Sequence, residues 1–100
     1  MSIVTNIAEA KKKVGTVYPK GCTEFVAQAL GKPWKKSDEW TKGDLVSAKG
    51  AADGIADGQV VGWPGHVCIK ISGGFLNCPG PGQAVKENTN MGQALYKYTY

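Results

Sequence analysis

The segment His66-Val67-Cys68-Ile69-Lys70-Ile71-Ser72-Gly73-Gly74-Phe75-Leu76-Asn77-Cys78 constrains the fold more than any other stretch of the chain. Two runs of β-prone residues flank a Ser-Gly-Gly turn, so the chain must double back as an antiparallel hairpin. Alternation along the first run puts His66, Cys68 and Lys70 on one face and Val67, Ile69 and Ile71 on the other. Loop length then decides where Asn77 falls. A two-residue loop at Ser72-Gly73 sets Asn77 opposite Cys68, diagonal to His66 and on its face; this register is the expected one. A loop at Gly73-Gly74 sets it opposite Lys70, on the same face but farther away. A three-residue loop turns it to the opposite face, across from Ile69.

Helical periodicity is confined to the first third. Ile3, Ile7, Ala10 and Val14 share a stripe, with Lys11, Lys12 and Lys13 off it as a solvated side, and Gly15 offers a stop. After Tyr18-Pro19-Lys20-Gly21, a second helical pattern runs from Cys22 to about Leu30 and ends at Gly31 and Pro33. Trp34 to Asp57 is loop-rich, with Leu45-Val46 and Ile55 as short strands or packing residues. Val60-Val61 opens a strand, Pro79-Gly80-Pro81-Gly82 ends the hairpin, and Leu95 to Tyr100 alternates as a final strand. Helices first and strands afterwards predict an α+β fold, N-terminal helices packed on an antiparallel β-sheet, in one domain over residues 1–100. At 100 residues with 42% hydrophobic content, the core is thin and Trp34, Trp40 and Trp63 are expected to line core and cleft.

Charge narrows the partners. The net charge is +4, and all twelve basic residues are lysine. Without arginine, the bidentate contacts typical of nucleic-acid recognition are missing, so no nucleic-acid partner is expected. No apolar run approaches the ~20 residues of a membrane span. The start of the chain places its lysines after its apolar residues, the reverse of a secretory leader. A protein of this kind acting outside its maker's cytoplasm is expected to travel by a secretion machine or by lysis.

Three cysteines cannot pair completely, which directs attention to thiol chemistry. Cys22 stands at the first turn of the second helix, where free amides and the helix dipole favour a thiolate. His66 is the one histidine, at the start of a strand, so any thiol–imidazole pair must use it. Asn77 is the candidate to orient that imidazole. Cys68, on the face of His66, is expected beside such a site. A Cys68–Cys78 disulfide is disfavoured because the two side chains fall on opposite faces. Cys22, His66, Cys68 and Cys78 lack CxxC spacing, and no metal or other cofactor is expected. GAADGIADG lacks the lysine and the strand–loop–helix setting of a phosphate loop.

Tyr18-Pro19-Lys20-Gly21-Cys22-Thr23-Glu24-Phe25-Val26-Ala27 resembles the nucleophile segment of the CHAP amidases. Gly65-His66-Val67-Cys68-Ile69-Lys70-Ile71 is similar to the histidine strand shared by CHAP and NlpC/P60 enzymes, and Asn77 falls where those families place their third polar residue. Trp40 to Val46 and Ile55 to Val61 are loosely similar to small type VI secretion amidase effectors. The resemblance implies a papain-like minimal core and a cysteine amidase or endopeptidase that cuts peptidoglycan peptide stems. It implies Cys22 as nucleophile, His66 as base then acid, and Asn77 as the orienting group. The Cys22 amide would supply part of an oxyanion hole, with Tyr18 as a contributor and Gly21, Trp63 and Cys68 at the cleft. A cognate immunity protein would be a partner of an effector. A papain-like deamidase or acyltransferase acting on protein, or a non-catalytic binding module, are the alternatives.

Overall fold

Residues 3–100 are described by a computed structural model of the chain. The hairpin forms with the two-residue loop: β4 (His66–Ile71) pairs with β5 (Gly74–Asn77) as Ile69↔Leu76, Lys70↔Phe75 and Ile71↔Gly74. One more step along that register sets Asn77 opposite Cys68. On its other side β4 pairs with β3 (Val60–Trp63) through a tight Pro64-Gly65 turn that puts Trp63 opposite His66. Gly62 permits this pairing. A Cβ there would lie 2.0 Å from the carbonyl oxygen of His66, a distance no side chain tolerates.

Three further strands complete an antiparallel sheet. These are β2 (Thr41–Ser47), β7 (Lys86–Asn88) and β8 (Leu95–Thr99), in the order β2-β8-β3-β4-β5-β7. A two-stranded ladder joins β1 (Val17–Tyr18) to β6 (Gln83–Ala84). The helices are α1 (Ile7–Lys11) and α2 (Cys22–Leu30). The α+β architecture with helices preceding an antiparallel sheet is therefore as expected. Among the described residues, no helix is long and apolar enough to cross a membrane.

The sheet is covered on both faces, which is why every residue of β4 is buried. On one face α2 lays Cys22, Phe25 and Val26 against Val60, Val67, Ile69 and Leu76. On the other, the 47–59 loop packs Ile55 and Ala52 over Val61, Cys68, Phe75 and Leu95. Apolar residues on both faces are the mark of a strand buried between two layers.

The first helix is shorter than its stripe suggests. Asn6 caps it by accepting from the Glu9 amide at 3.0 Å, and it ends at Lys11. Ile3 bridges to Gln59 and Val14 to Val85 instead, so the ends of the stripe serve sheet-like pairing. β2 is a full strand of seven residues, with register shifts around Leu45 that leave Leu45 half exposed.

Lys70 is the costly residue of this core. Its side chain is 6% exposed, and its ammonium donates to Asp57 Oδ1 at 2.6 Å, in the 47–59 loop. A buried ammonium left without its carboxylate is penalised more than an apolar replacement of the same shape. Asp57→Ala is therefore expected to cost about 1–3 kcal/mol in urea unfolding, and Lys70→Met less than Asp57→Ala. Equal losses, or a larger one for Lys70→Met, would contradict this reading.

Candidate active site

Cys22, at the start of α2, and His66, at the start of β4, line one cavity at the end of the sheet. Gly21 caps α2 with φ +81°, a conformation that strains any residue bearing a Cβ. A Cβ on Gly21 would also sit 2.9 Å from the Pro81 nitrogen. Both constraints require glycine immediately before Cys22. The close approach brings the Pro79–Pro81 loop to the mouth of this cavity of about 220 Å3. Lys20, Cys22 and Thr23 line it from the start of α2, and Gly65 and His66 line it from the β3–β4 turn. Ser37 completes the wall.

His66 is held on two sides. Its Nε2–H donates to Asn77 Oδ1 at 2.7 Å, while the Asn77 amide group donates onward to Asn88 Oδ1 at 3.4 Å. Trp63 stacks on the imidazole, with centroids 4.6 Å apart and planes 25° from parallel. With Nε2 carrying the proton, Nδ1 keeps its lone pair as the free acceptor of the ring.

Burial sets the charge state of both groups. Cys22 and His66 are each 8% exposed. Burial pushes the Cys22 thiol up, against the opposing effect of the Val67, Thr23 and Cys22 backbone groups, which favour the thiolate. Burial lowers His66, and the Asn77 hydrogen bond only partly offsets this. The resting pair at neutral pH is thus a thiol and a neutral imidazole. A neutral thiol and a neutral imidazole lining one cavity are the groups that thiol-nucleophile chemistry uses, the imidazole taking the thiol proton when a carbonyl carbon is presented to the sulfur.

The other residues singled out from sequence fall as follows. Tyr18 is buried against Phe25, its ring 5.5 Å away, and its hydroxyl donates to Gln28 Oε1 rather than reaching the cavity. Cys68 lies in the apolar layer beneath the 47–59 loop, fully buried, and burial raises its thiol strongly. It does not line the cavity. Cys78 belongs to the opposite, helix-side layer. Cys68 and Cys78 are separated by the sheet, and all three cysteines are free. Trp40 is core, whereas Trp34 is 40% exposed, its indole N–H donating to Thr23 Oγ1 at 2.9 Å. Trp34 departs from the expected core role because Pro33 and the 3-10 turn Ser37–Glu39 carry its segment along the surface. The Pro79–Pro81 wall went unread in the sequence, although its two prolines and the adjoining glycines were visible as a strand terminator.

Among the described residues, no group of three or more His, Cys, Asp or Glu side chains could hold a metal ion. A second hollow of about 270 Å3 lies between α1 and α2, lined by Asn6, Glu9, Lys13 and Gln28 among others; it contains no thiol or imidazole. Comparisons with protein-family models, with curated proteins and with solved structures return no match.

The raised thiol has a measurable consequence. A group whose pKa is raised ionises only at higher pH, so the alkylation rate of Cys22 by iodoacetamide should climb through pH 7–9. Its midpoint is expected above the ordinary thiol value of about 8.5. A rate already at plateau by pH 6 would mean a preformed thiolate–imidazolium pair and contradict the neutral one.

Proposed function

We propose that the protein is a papain-like cysteine hydrolase that cuts amide bonds in the peptide stems of bacterial peptidoglycan. The observation that carries this reading is that Cys22 and His66 line one cavity while His66 is hydrogen-bonded to Asn77. A cysteine at the start of a helix, packed on an antiparallel sheet whose adjacent strands begin with histidine and end with asparagine, fits the papain-like plan. The peptidoglycan assignment rests on the likeness of the Cys22 and His66 segments to CHAP and NlpC/P60 enzymes. Action as an antibacterial effector or lysin, export by a secretion machine or lysis, and inhibition by a cognate immunity protein belong to the same reading.

In this reading the reaction runs in two halves. The stem carbonyl approaches Cys22, and Sγ bonds to its carbon as the thiol proton passes to His66 Nδ1. The carbonyl oxygen becomes an oxyanion, which the backbone N–H of Cys22 stabilises at the free end of α2. His66 then returns its proton to the departing amine as the C–N bond breaks, leaving a thioester on Cys22. Water attacks the thioester with His66 again accepting a proton, and the acid leaves with the thiol restored. Asn77 keeps the imidazole in the tautomer this sequence needs, and Trp63 restricts its plane.

Digestion of purified peptidoglycan, read by mass spectrometry of the muropeptides, tests the activity and names the bond. Cys22→Ala and His66→Ala are each expected to abolish cleavage, and the double variant to be scarcely worse than either. Asn77→Ala should lower kcat by about 10- to 1,000-fold with little change in KM, and Asn77→Asp less, since a carboxylate accepts the same hydrogen bond. Because the Asn77 bond favours the protonated ring, its loss should also move the acid limb of the rate to lower pH. Substantial turnover in His66→Ala would overturn the papain-like reading.

A further inference from the structure

Lys20 is the one lysine, aspartate or glutamate that lines the cavity shared by Cys22 and His66. Its neighbours there are hydroxyl, thiol, imidazole, glycine and proline groups, so Lys20 is the one basic side chain at the cavity. Lysine side chains on a surface usually sweep through many rotamers, but this one rests its ammonium on an aromatic ring. Its ammonium lies 4.4 Å from the centre of the Trp34 ring. The Trp34 ring is itself tied down, by the indole N–H to Thr23 Oγ1, and Thr23 is the residue after Cys22. The Lys20 backbone N–H donates to Glu24 Oε1 at 3.1 Å, which fixes the start of the side chain.

Among the described residues the Lys20 ammonium makes no ion pair. Glu24 accepts from the Lys20 backbone, and the ion pairs found among the described residues are Lys12–Glu9 and Lys70–Asp57. A cation over an aromatic face keeps its charge and its N–H donors available on the side away from the ring. The Lys20 side chain is exposed at the rim of the cavity, so its attraction for an anionic group is one that salt screens.

We propose that Lys20, held by Trp34, is a carboxylate-binding subsite next to Cys22, so that the preferred substrate carries a free carboxylate beside the amide bond that is cut. The assignment rests on the reading of Cys22 as the nucleophile of an amidase. In that reading, Lys20 is a specificity-determining residue: it draws in stem peptides with an ionised carboxyl and discriminates against those in which that carboxyl is amidated.

Two small alkylating reagents test the subsite independently of any hydrolytic activity. Iodoacetate and iodoacetamide react with the same sulfur and differ in carrying a carboxylate or a neutral amide. The ratio of their rates at Cys22 cancels changes in thiolate fraction and isolates attraction of the carboxylate. In the full chain at low ionic strength, Lys20→Gln is expected to lower the iodoacetate-to-iodoacetamide ratio by about three- to tenfold. Lys20→Arg should retain the ratio, and added salt should erode it in the wild type but not in Lys20→Gln. Trp34→Ala, which frees the ammonium, should lower it by a smaller factor. Melting curves of the variants confirm that each is folded before its ratio is read. An unchanged ratio in folded Lys20→Gln would overturn the proposal. If the wild type cleaves stem peptides, Lys20→Gln should raise KM more than it lowers kcat for the free-carboxylate peptide, and should abolish the preference over its amidated form. Failure of the wild type to cut any stem would overturn the peptidoglycan reading, while the reagent ratio would still decide whether the subsite exists.

Discussion

The pairing register of β4 and β5 is the constraint on which the rest of the site depends. Asn77 reaches His66 only because Ile69 faces Leu76 and Lys70 faces Phe75. A slip of one residue would send Asn77 to the α2 face and Leu76 to the face of His66. That slip is resisted from both sides of the sheet at once. Val67, Ile69 and Leu76 are packed under α2, while Cys68 and Phe75 are packed under the 47–59 loop. Exchanging these sets would bury Asn77 among apolar side chains and cost more than one polar contact can return. The hydrogen bond of the candidate site is therefore a consequence of the packing of two hydrophobic layers.

The same packing decides the electrostatics. Cys22 sits where the end of a helix should favour its thiolate, yet burial outweighs that effect. His66 responds to the same burial in the opposite direction, because its charged form is the protonated one. Both shifts stabilise the uncharged pair. In the proposed reaction a proton moves within the site when a substrate carbonyl arrives, and no ion pair has to be maintained in a low-dielectric pocket beforehand. Gly21 and Gly62 make this compactness possible, one letting the Pro79–Pro81 loop close on the start of α2 and the other letting β3 approach the backbone of His66.

Much of this was legible in the amino-acid order, and the exceptions have physical causes. The β4–β5 hairpin was readable because alternation and a two-residue Ser-Gly turn specify both pairing and face. The bounds of α2 were readable because Gly21 and Gly31 mark its two ends. The stripe from Ile3 to Val14 misled, because the same spacing serves isolated bridges to Gln59 and Val85 that only the tertiary fold supplies. β7 is Lys-Glu-Asn, with no strand preference of its own, and forms because β5 offers it an open edge. The placement of Tyr18 and Cys68 away from the cavity depended on partners distant in sequence: Gln28 for the tyrosine hydroxyl and the 47–59 loop over the cysteine. Cys22, His66 and Asn77 could be named together because the chain has a single histidine and, of its three cysteines, Cys22 is the one that opens a helix.

That lone histidine also makes the central claim directly measurable. Nitrogen-15 NMR of the imidazole in the intact protein carries one set of ring signals, so tautomer and charge are read without assignment by mutation. The account predicts a neutral ring at pH 7 with the proton on Nε2 and a bare Nδ1, titrating below the usual histidine value of about 6.5. It also predicts that alkylating Cys22 shifts the Nδ1 signal far more than the Nε2 signal. A ring protonated on Nδ1, or charged at pH 7, or indifferent to alkylation of Cys22, would contradict the pairing of thiol and imidazole on which the proposed chemistry stands.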